Sequence, residues 1–309
     1  MLNWRVGKAV AYLVDMRPVN NPLQDETTLG SEQFAGDDVE IVIEPGRSFH
    51  QYWRDLWHYR ELFLFLAWRD ILVRYKQTAI GIAWSLIRPL VTMMVFTYVF
   101  GRLGRFPSGD VPYPILVYAA VLPWQFFASA LEESGNSLIA NSTILSKVYF
   151  PRIIIPTSSV LVGLIDFAIS FFVLLLLMFF YRFVPGPRLI LLPLFLVPAL
   201  LTALGAGLWL AALNVKYRDF RYIIPFIIQA GLFISPVGFT SSVVPQQWRL
   251  LYSLNPLVGI IDGFRWAILG KSFDLYWPGF VVSLCLTLLI FFAGLRYFRS
   301  SERTFADII

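Results

Sequence analysis

Four stretches of this chain, Val111 to Leu131, Leu189 to Val215, Tyr222 to Trp248 and Leu275 to Leu295, contain no Asp, Glu, Lys or Arg. Each is long enough to cross a bilayer, because roughly 20 apolar residues at a rise of about 1.5 Å cover the hydrocarbon core. Two more runs qualify once a single charge is tolerated in each: about Ala79 to Gly101 around Arg88, and about Ile153 to Tyr181 around Asp166. The expectation is an all-α integral membrane protein with six transmembrane helices.

Composition narrows the class further. Charged residues make up 15% of the 309 residues, against about 25% in an average soluble domain, while 57% are hydrophobic and mean hydropathy is +0.65. A soluble enzyme core is therefore excluded. The single cysteine, Cys285, lies inside the last apolar stretch, so neither a disulfide framework nor a thiolate metal cluster is expected. The net charge of +5 does not point to nucleic acid, since the cations flank apolar segments and form no continuous stripe.

Those cations orient the chain. With the N-terminus cytoplasmic, the inner segments hold Arg69, Arg74 and Lys76, then Lys147 and Arg152, then Lys216, Arg218 and Arg221, and finally Arg296, Arg299 and Arg303. The opposite side holds Arg102, Arg105, Arg182, Arg188, Arg249, Arg265 and Lys271. The positive-inside bias places both termini in the cytoplasm. The first residues lack the uninterrupted apolar core of a cleavable signal peptide, because Arg5, Lys8, Asp15 and Arg17 interrupt them.

The chain divides into a polar cytoplasmic tail over residues 1–51, an amphipathic interface helix over 52–77, a six-span domain over 78–296 and a short cytoplasmic tail over 297–309. In the first tail, Val39, Ile41 and Ile43 alternate as in a strand. From Tyr52 to Lys76, Arg54, His58, Glu61, Arg69 and Lys76 share one sector of a helical wheel, with Trp57, Leu64, Trp68 and Ile71 beside it. Such a helix lies along the membrane surface, or it packs on the protein's own spans.

Two connections carry further expectations. Between the second and third spans, Pro151 stops any preceding helix and leaves Tyr149 and Phe150 beside Lys147 and Arg152. Exposed aromatics among cations suit a docking knob for a soluble partner, and lipid headgroups account for them equally well. Between the fifth and sixth spans, Pro245, Trp248, Asn255-Pro256-Leu257 and Gly263-Phe264-Arg265-Trp266 read as two short re-entrant helices at the outer interface, broken at Asn255-Pro256.

The order Arg74-Tyr75-Lys76-Gln77-Thr78, Gly81-Ile82-Ala83-Trp84, Pro89-Leu90, Phe150-Pro151-Arg152, Asn214-Val215-Lys216-Tyr217-Arg218-Asp219 and Asn255-Pro256-Leu257 resembles the membrane subunit of ABC-2 type exporters. Within these it is similar to permeases for lipid-linked polysaccharides such as O-antigen, capsular polysaccharide and teichoic acid. The resemblance implies a homodimer of six-span subunits in the bacterial inner membrane, docked on two copies of a separate ABC ATPase. ATP and Mg would then bind the partner. That division agrees with the absence of a G-x-x-x-x-G-K-[ST] phosphate loop from this chain, which is expected to be a transport subunit without an enzyme activity or cofactor of its own. The resemblance further implies ATPase-coupling contacts at Lys147, Tyr149, Phe150, Arg152, Lys216 and Arg218. It also implies an external gate around Pro245, Trp248, Asn255, Pro256, Arg265 and Trp266.

Polymer export needs a path that holds each sugar weakly, and aromatic faces stack on sugar C–H faces without demanding one hydroxyl pattern. Trp84, Phe96, Tyr98, Tyr118, Trp124, Phe126 and Phe233 are the candidate rings, although aromatic belts face lipid in most membrane proteins. Arg88 and Asp166 stand out because a charge within a span is costly. Three readings remain for Arg88: binding a lipid-linked phosphate, pairing with Asp166, or snorkelling to the interface. Export of a small molecule or lipid by the same architecture stays open, as does a secondary transporter, which would use intramembrane carboxylates of which Asp166 alone lies mid-span. A membrane enzyme is disfavoured, since His50 and His58 are the only histidines and Glu132-Glu133 has none nearby.

Overall fold

A computed structural model describes residues 57–76, 81–145, 147 and 150–305. The N-terminal tail with its strand-like patch, Gln77-Thr78 and Tyr149 lie outside these residues. Helix α1 spans Arg60–Lys76, α2 Gly81–Phe96, α3 Tyr113–Ala140, α4 Ser142–Leu145 and α5 Ile154–Phe180. They are followed by α6 Leu192–Lys216, α7 Phe220–Ile234, α8 Gln246–Tyr252, α9 Pro256–Leu269 and α10 Trp277–Ser301. No strand occurs among the described residues.

Among the described residues, five helical segments are long and apolar enough to cross a membrane: Ala83–Leu103, Tyr113–Ala140, Ile154–Phe180, Pro187–Lys216 and Trp277–Ser301. The first includes a π-helical turn over Thr97–Leu103, the fourth a 3₁₀ turn over Pro187–Leu191. Prolines inside α2, α3, α6 and α7 do not end those helices, because neighbouring helices and side chains can satisfy the freed carbonyls.

The fifth expected span differs. Tyr222 to Trp248 carries no charge, yet α7 stops at Ile234, a helix of 15 residues and so about 22 Å. Ser235 adopts an extended conformation (φ −84°, ψ 154°), the geometry a residue before proline prefers, and Pro236 then turns the chain. Absence of charge marked an apolar environment there, not helix continuity.

Helix α3 is the centre of the bundle. Ile115, Val117, Tyr118, Ala119, Ala120 and Val121 are completely enclosed, and α3 packs against α5 on one side and α6 on the other. Helix α6 in turn crosses α10 at a point where a Cβ on Gly294 would overlap the Gly205 carbonyl oxygen. Small residues permit this close crossing where lipid gives no hydrophobic drive for helix association. Helix α9 fits among α3, α6 and α10. Twelve of its fourteen residues are buried.

A second apolar cluster closes the opposite end of the bundle. Leu66 of α1, Leu138 of α3, Phe150, Ile153 to Ile155, Leu208, Ala211 and Val215 of α6 and Leu295 and Phe298 of α10 form it, with Phe305. One expectation changes here. Phe150 is 4% exposed, so it is an anchor of this cluster and not a knob offered to solvent. Helix α10 continues to Ser301, a 3₁₀ turn follows, and Phe305 is 2% exposed. Arg152 closes the seam, donating its backbone N–H to Glu302 Oε1 at 2.8 Å and its Nη1 to the Glu302 carbonyl at 2.8 Å.

Candidate functional site

The polar residues of α1 meet the bundle at the start of α2. Arg74 pairs with Glu133 of α3 and places Nη2 2.6 Å from Asp166 Oδ2 of α5. Tyr75 donates its hydroxyl to Asp166 Oδ1 at 2.6 Å, and Ser85 of α2 donates to the same oxygen at 2.6 Å. One carboxylate thus ties together α1, α2 and α5. Burial, reinforced by the adjacent carboxylate, pushes the Tyr75 phenol up from 10.0 to about 12, so it remains a donor at any physiological pH. Farther back on α1, Arg69 donates to Asn141 Oδ1 at 2.6 Å.

This arrangement settles how α1 sits. Arg69 and Arg74 bond the bundle, whereas His58, Glu61 and Lys76 of the expected charged sector are exposed, as are Leu64 and Trp68 of α1 and Trp57 just before it, at 61%, 54% and 71%. It also relocates Asp166. The fifth residue of α2 bonds this carboxylate, so Asp166 is level with the beginning of that helix and not with its middle. Arg88 does not pair with it; Arg74 does.

Above this cluster a cavity of about 320 Å³ opens between α2, α3 and α5. Its polar lining comes from Arg74, Ser85, Arg88, Gln125, Ser129, Asp166 and Ser170, and its apolar wall from Trp84, Leu122, Phe126 and Phe167. Helical spacing explains the convergence: Ser85 and Arg88 are three apart, and Gln125 with Ser129 and Asp166 with Ser170 are four apart, so each pair faces the same way. Those pairs were visible in the sequence as polar residues at helical spacing within apolar runs. Arg74 is matched by two carboxylates, whereas Arg88 has no hydrogen bond or ion pair from its guanidinium among the described residues. The cavity wall is therefore cationic at Arg88.

Of the seven candidate rings, the structure brings Trp84 and Phe126 to this cavity. Tyr118 is enclosed, with its hydroxyl on the Ser170 carbonyl at 3.2 Å, and Trp124 closes over Gly231 of α7. Phe96 is 6% exposed and belongs to a ring cluster with Phe100 and Phe233, which links the end of α2 to the end of α7. Tyr98 and Phe233 are exposed, at 56% and 62%.

At the far end, Asn255 explains the Asn-Pro-Leu motif. Its Oδ1 accepts from the Leu257 N–H at 3.1 Å, capping α9, and its Nδ2 donates to Ser235 Oγ at 2.9 Å. Pro256 occupies the first helical position, where a missing N–H costs nothing. Arg265, expected at an external gate, is fully buried and donates to the carbonyls of Leu116, Phe239 and Val237 at 3.2, 2.7 and 3.0 Å. Trp266 packs under Arg188, while Pro245 and Trp248 are exposed at the start of α8.

On the side of α1, Lys216 and Arg218 are exposed on the turn between α6 and α7, and Lys147 is exposed. Arg152 instead serves the internal seam with Glu302. No group of three or more His, Cys, Asp or Glu residues able to hold a metal ion occurs among the described residues.

Residues 61–269, from α1 to the end of α9, match the family described as ABC-2 type transporter. The chain is similar to the O-antigen export system permease protein RfbA of Klebsiella pneumoniae, at 26% identity over 256 residues covering 81% of this chain and 95% of that protein. RfbA of Myxococcus xanthus is 26% identical over 259 residues, 83% of this chain and 98% of its own length. The polysialic acid transport protein KpsM of Escherichia coli is 23% identical over 242 residues, 76% and 91% of the two chains. With its matched region running through the interface helix, the polar cavity and the capped α9, the chain belongs to the ABC-2 type transporter family.

Proposed function

We propose that this chain is the membrane-spanning permease subunit of an ATP-driven exporter that moves a lipid-linked, O-antigen-like polysaccharide across the bacterial inner membrane. The observation that carries this reading is the near end-to-end similarity to O-antigen export permeases, 95% and 98% of whose lengths align with this chain. It would act as a homodimer on two copies of a separate ABC ATPase. Gly270-Lys271-Ser272 reproduces the last three positions of a phosphate loop, but Arg265, where that loop needs its first glycine, is fully buried.

In this reading α7 is the fifth, shortened span and α8–α9 a re-entrant pair on the outer side, with α10 the sixth span and both termini inside. Three of the seven outer cations support this orientation, because they are consumed internally: Arg188 on the Gly270 carbonyl, Arg249 on Val244 and Ser242, and Arg265 on three carbonyls. A cation bonded within the fold is not a loop charge of the kind that sets topology. Arg88, two turns into α2, would receive the phosphate of the lipid carrier, and the exposed Trp84 the first sugar.

Removing the chain from its host tests the proposal. The surface glycan should disappear while its lipid-linked form accumulates on the cytoplasmic face, with restoration by the wild-type chain. Unchanged surface glycan and no accumulated precursor would reject polysaccharide as cargo.

A further inference from the structure

We propose that the loop joining α5 to α6 seats one anionic diacyl phospholipid, with its chains in two apolar grooves on either side of Pro185 and its headgroup at Arg182. Helix α5 ends with the Arg182 N–H donating to the Phe179 carbonyl at 3.2 Å and the Phe183 N–H donating to Met178 at 2.9 Å. That pattern puts the first of the two donors in the left-handed conformation, a position that favours glycine. Arginine occupies it, at φ 53°. Such outliers point towards a role for the side chain.

Arg182 is exposed, and its guanidinium has no hydrogen bond or ion pair among the described residues. It lines a groove of about 410 Å³ with Leu175, Met178, Phe179 and Pro185. Across Pro185 a second groove of about 670 Å³ is walled by Phe167, Phe171, Ile190 and Leu196. On α5 the larger groove is walled by Phe167, Ala168 and Phe171, while the smaller one is bounded by Leu175, Met178 and Phe179, with Arg182 just beyond the helix. Both grooves present almost only carbon, which suits acyl chains.

Charge selects the headgroup. Arg188 is already occupied, donating to the Gly270 carbonyl at 2.9 Å and stacking 4.6 Å from the Trp266 ring centre. Gly186 and Gly270 approach closely, a Cβ on Gly186 falling 3.4 Å from Gly270 Cα, which brings the exposed Lys271 towards the same rim. Two cations with no anionic partner among the described residues then flank the grooves. A phosphodiester carrying net negative charge complements them, and a zwitterionic headgroup complements them less well.

Native mass spectrometry of the full chain, isolated in mild detergent and exposed to equal phosphatidylglycerol and phosphatidylcholine, tests this without reference to export. The wild type should retain one phosphatidylglycerol per chain in preference to phosphatidylcholine. Arg182→Gly keeps the turn, since glycine suits the left-handed position, and should lower that preference about fivefold, the equivalent of one interfacial cation at about 1 kcal/mol. Arg182→Lys should retain most of it. Ala168→Trp, which adds bulk at an exposed position in the larger groove, should expel the lipid with Arg182 intact. Equal retention of both lipids by the wild type, undiminished preference in Arg182→Gly, or a co-isolated protein covering the grooves would each overturn the proposal.

Discussion

Tyr75, at the end of the interface helix, donates its hydroxyl to Asp166 of α5 at 2.6 Å, and Arg74 beside it pairs with the other oxygen of the same carboxylate. The carboxylate thereby joins α1 to α5 and, through Ser85, to the first span. Tyr75→Phe removes one hydrogen bond to an ionised group, on the order of 2 kcal/mol, and leaves the packing of the ring. Export should fall severalfold with subunit assembly unchanged, as measured by surface glycan against chain recovered from membranes.

The same phenol gives a pH signature. Its pKa in the folded state, about 12, lies above the unfolded value of 10.0. Its contribution to stability is complete below pH 10 and is lost as pH rises through about 12. Thermal melts of detergent-solubilised wild type and Tyr75→Phe should therefore differ most near pH 9 and converge as pH rises towards about 12.

Arg265 satisfies three carbonyls from within the protein. Arg265→Met would leave them unpaired and cost at least about 3 kcal/mol, while lysine, a point donor, cannot span all three sites. Limited proteolysis should then cut the 235–245 segment in the methionine variant and spare it in the wild type.

Asn255 offers a graded version of the same test. Asn255→Ala loses the cap of α9, worth about 1 kcal/mol, whereas Asn255→Asp keeps the acceptor for Leu257 and loses only the donor to Ser235. Thermal midpoints should rank wild type, then aspartate, then alanine.

At the α6–α10 crossing, Gly294→Val forces the helices apart because its Cβ meets the Gly205 carbonyl. The variant should be recovered from membranes in much lower yield than wild type. Valine at the exposed Leu289, also on α10, should not change recovery.

Much of this was legible in the sequence, for identifiable reasons. Long uncharged runs announce helices that lipid can solvate, and Asn255-Pro256 announces a capped start, since both signals are local. Local signals also misled where distant residues decide. Phe150 beside Pro151 reads as exposed until Phe298 and Phe305 close over the same cluster. Asp166 reads as a mid-span charge awaiting Arg88, but the end of α1 reaches it first, an approach that no spacing within α5 encodes. Arg265 counts as an outer charge by position and is spent on carbonyls from α3 and the loop after α7.

The proposed export depends above all on a separate ATPase driving this chain. Isolating the assembly from native membranes in mild detergent and identifying its stoichiometric components by mass spectrometry tests that directly. An equal number of copies of a protein carrying a phosphate-binding loop is expected, with ATP hydrolysis lost when Lys216 and Arg218 are both replaced by glutamate. An intact, active assembly with no such protein would contradict it.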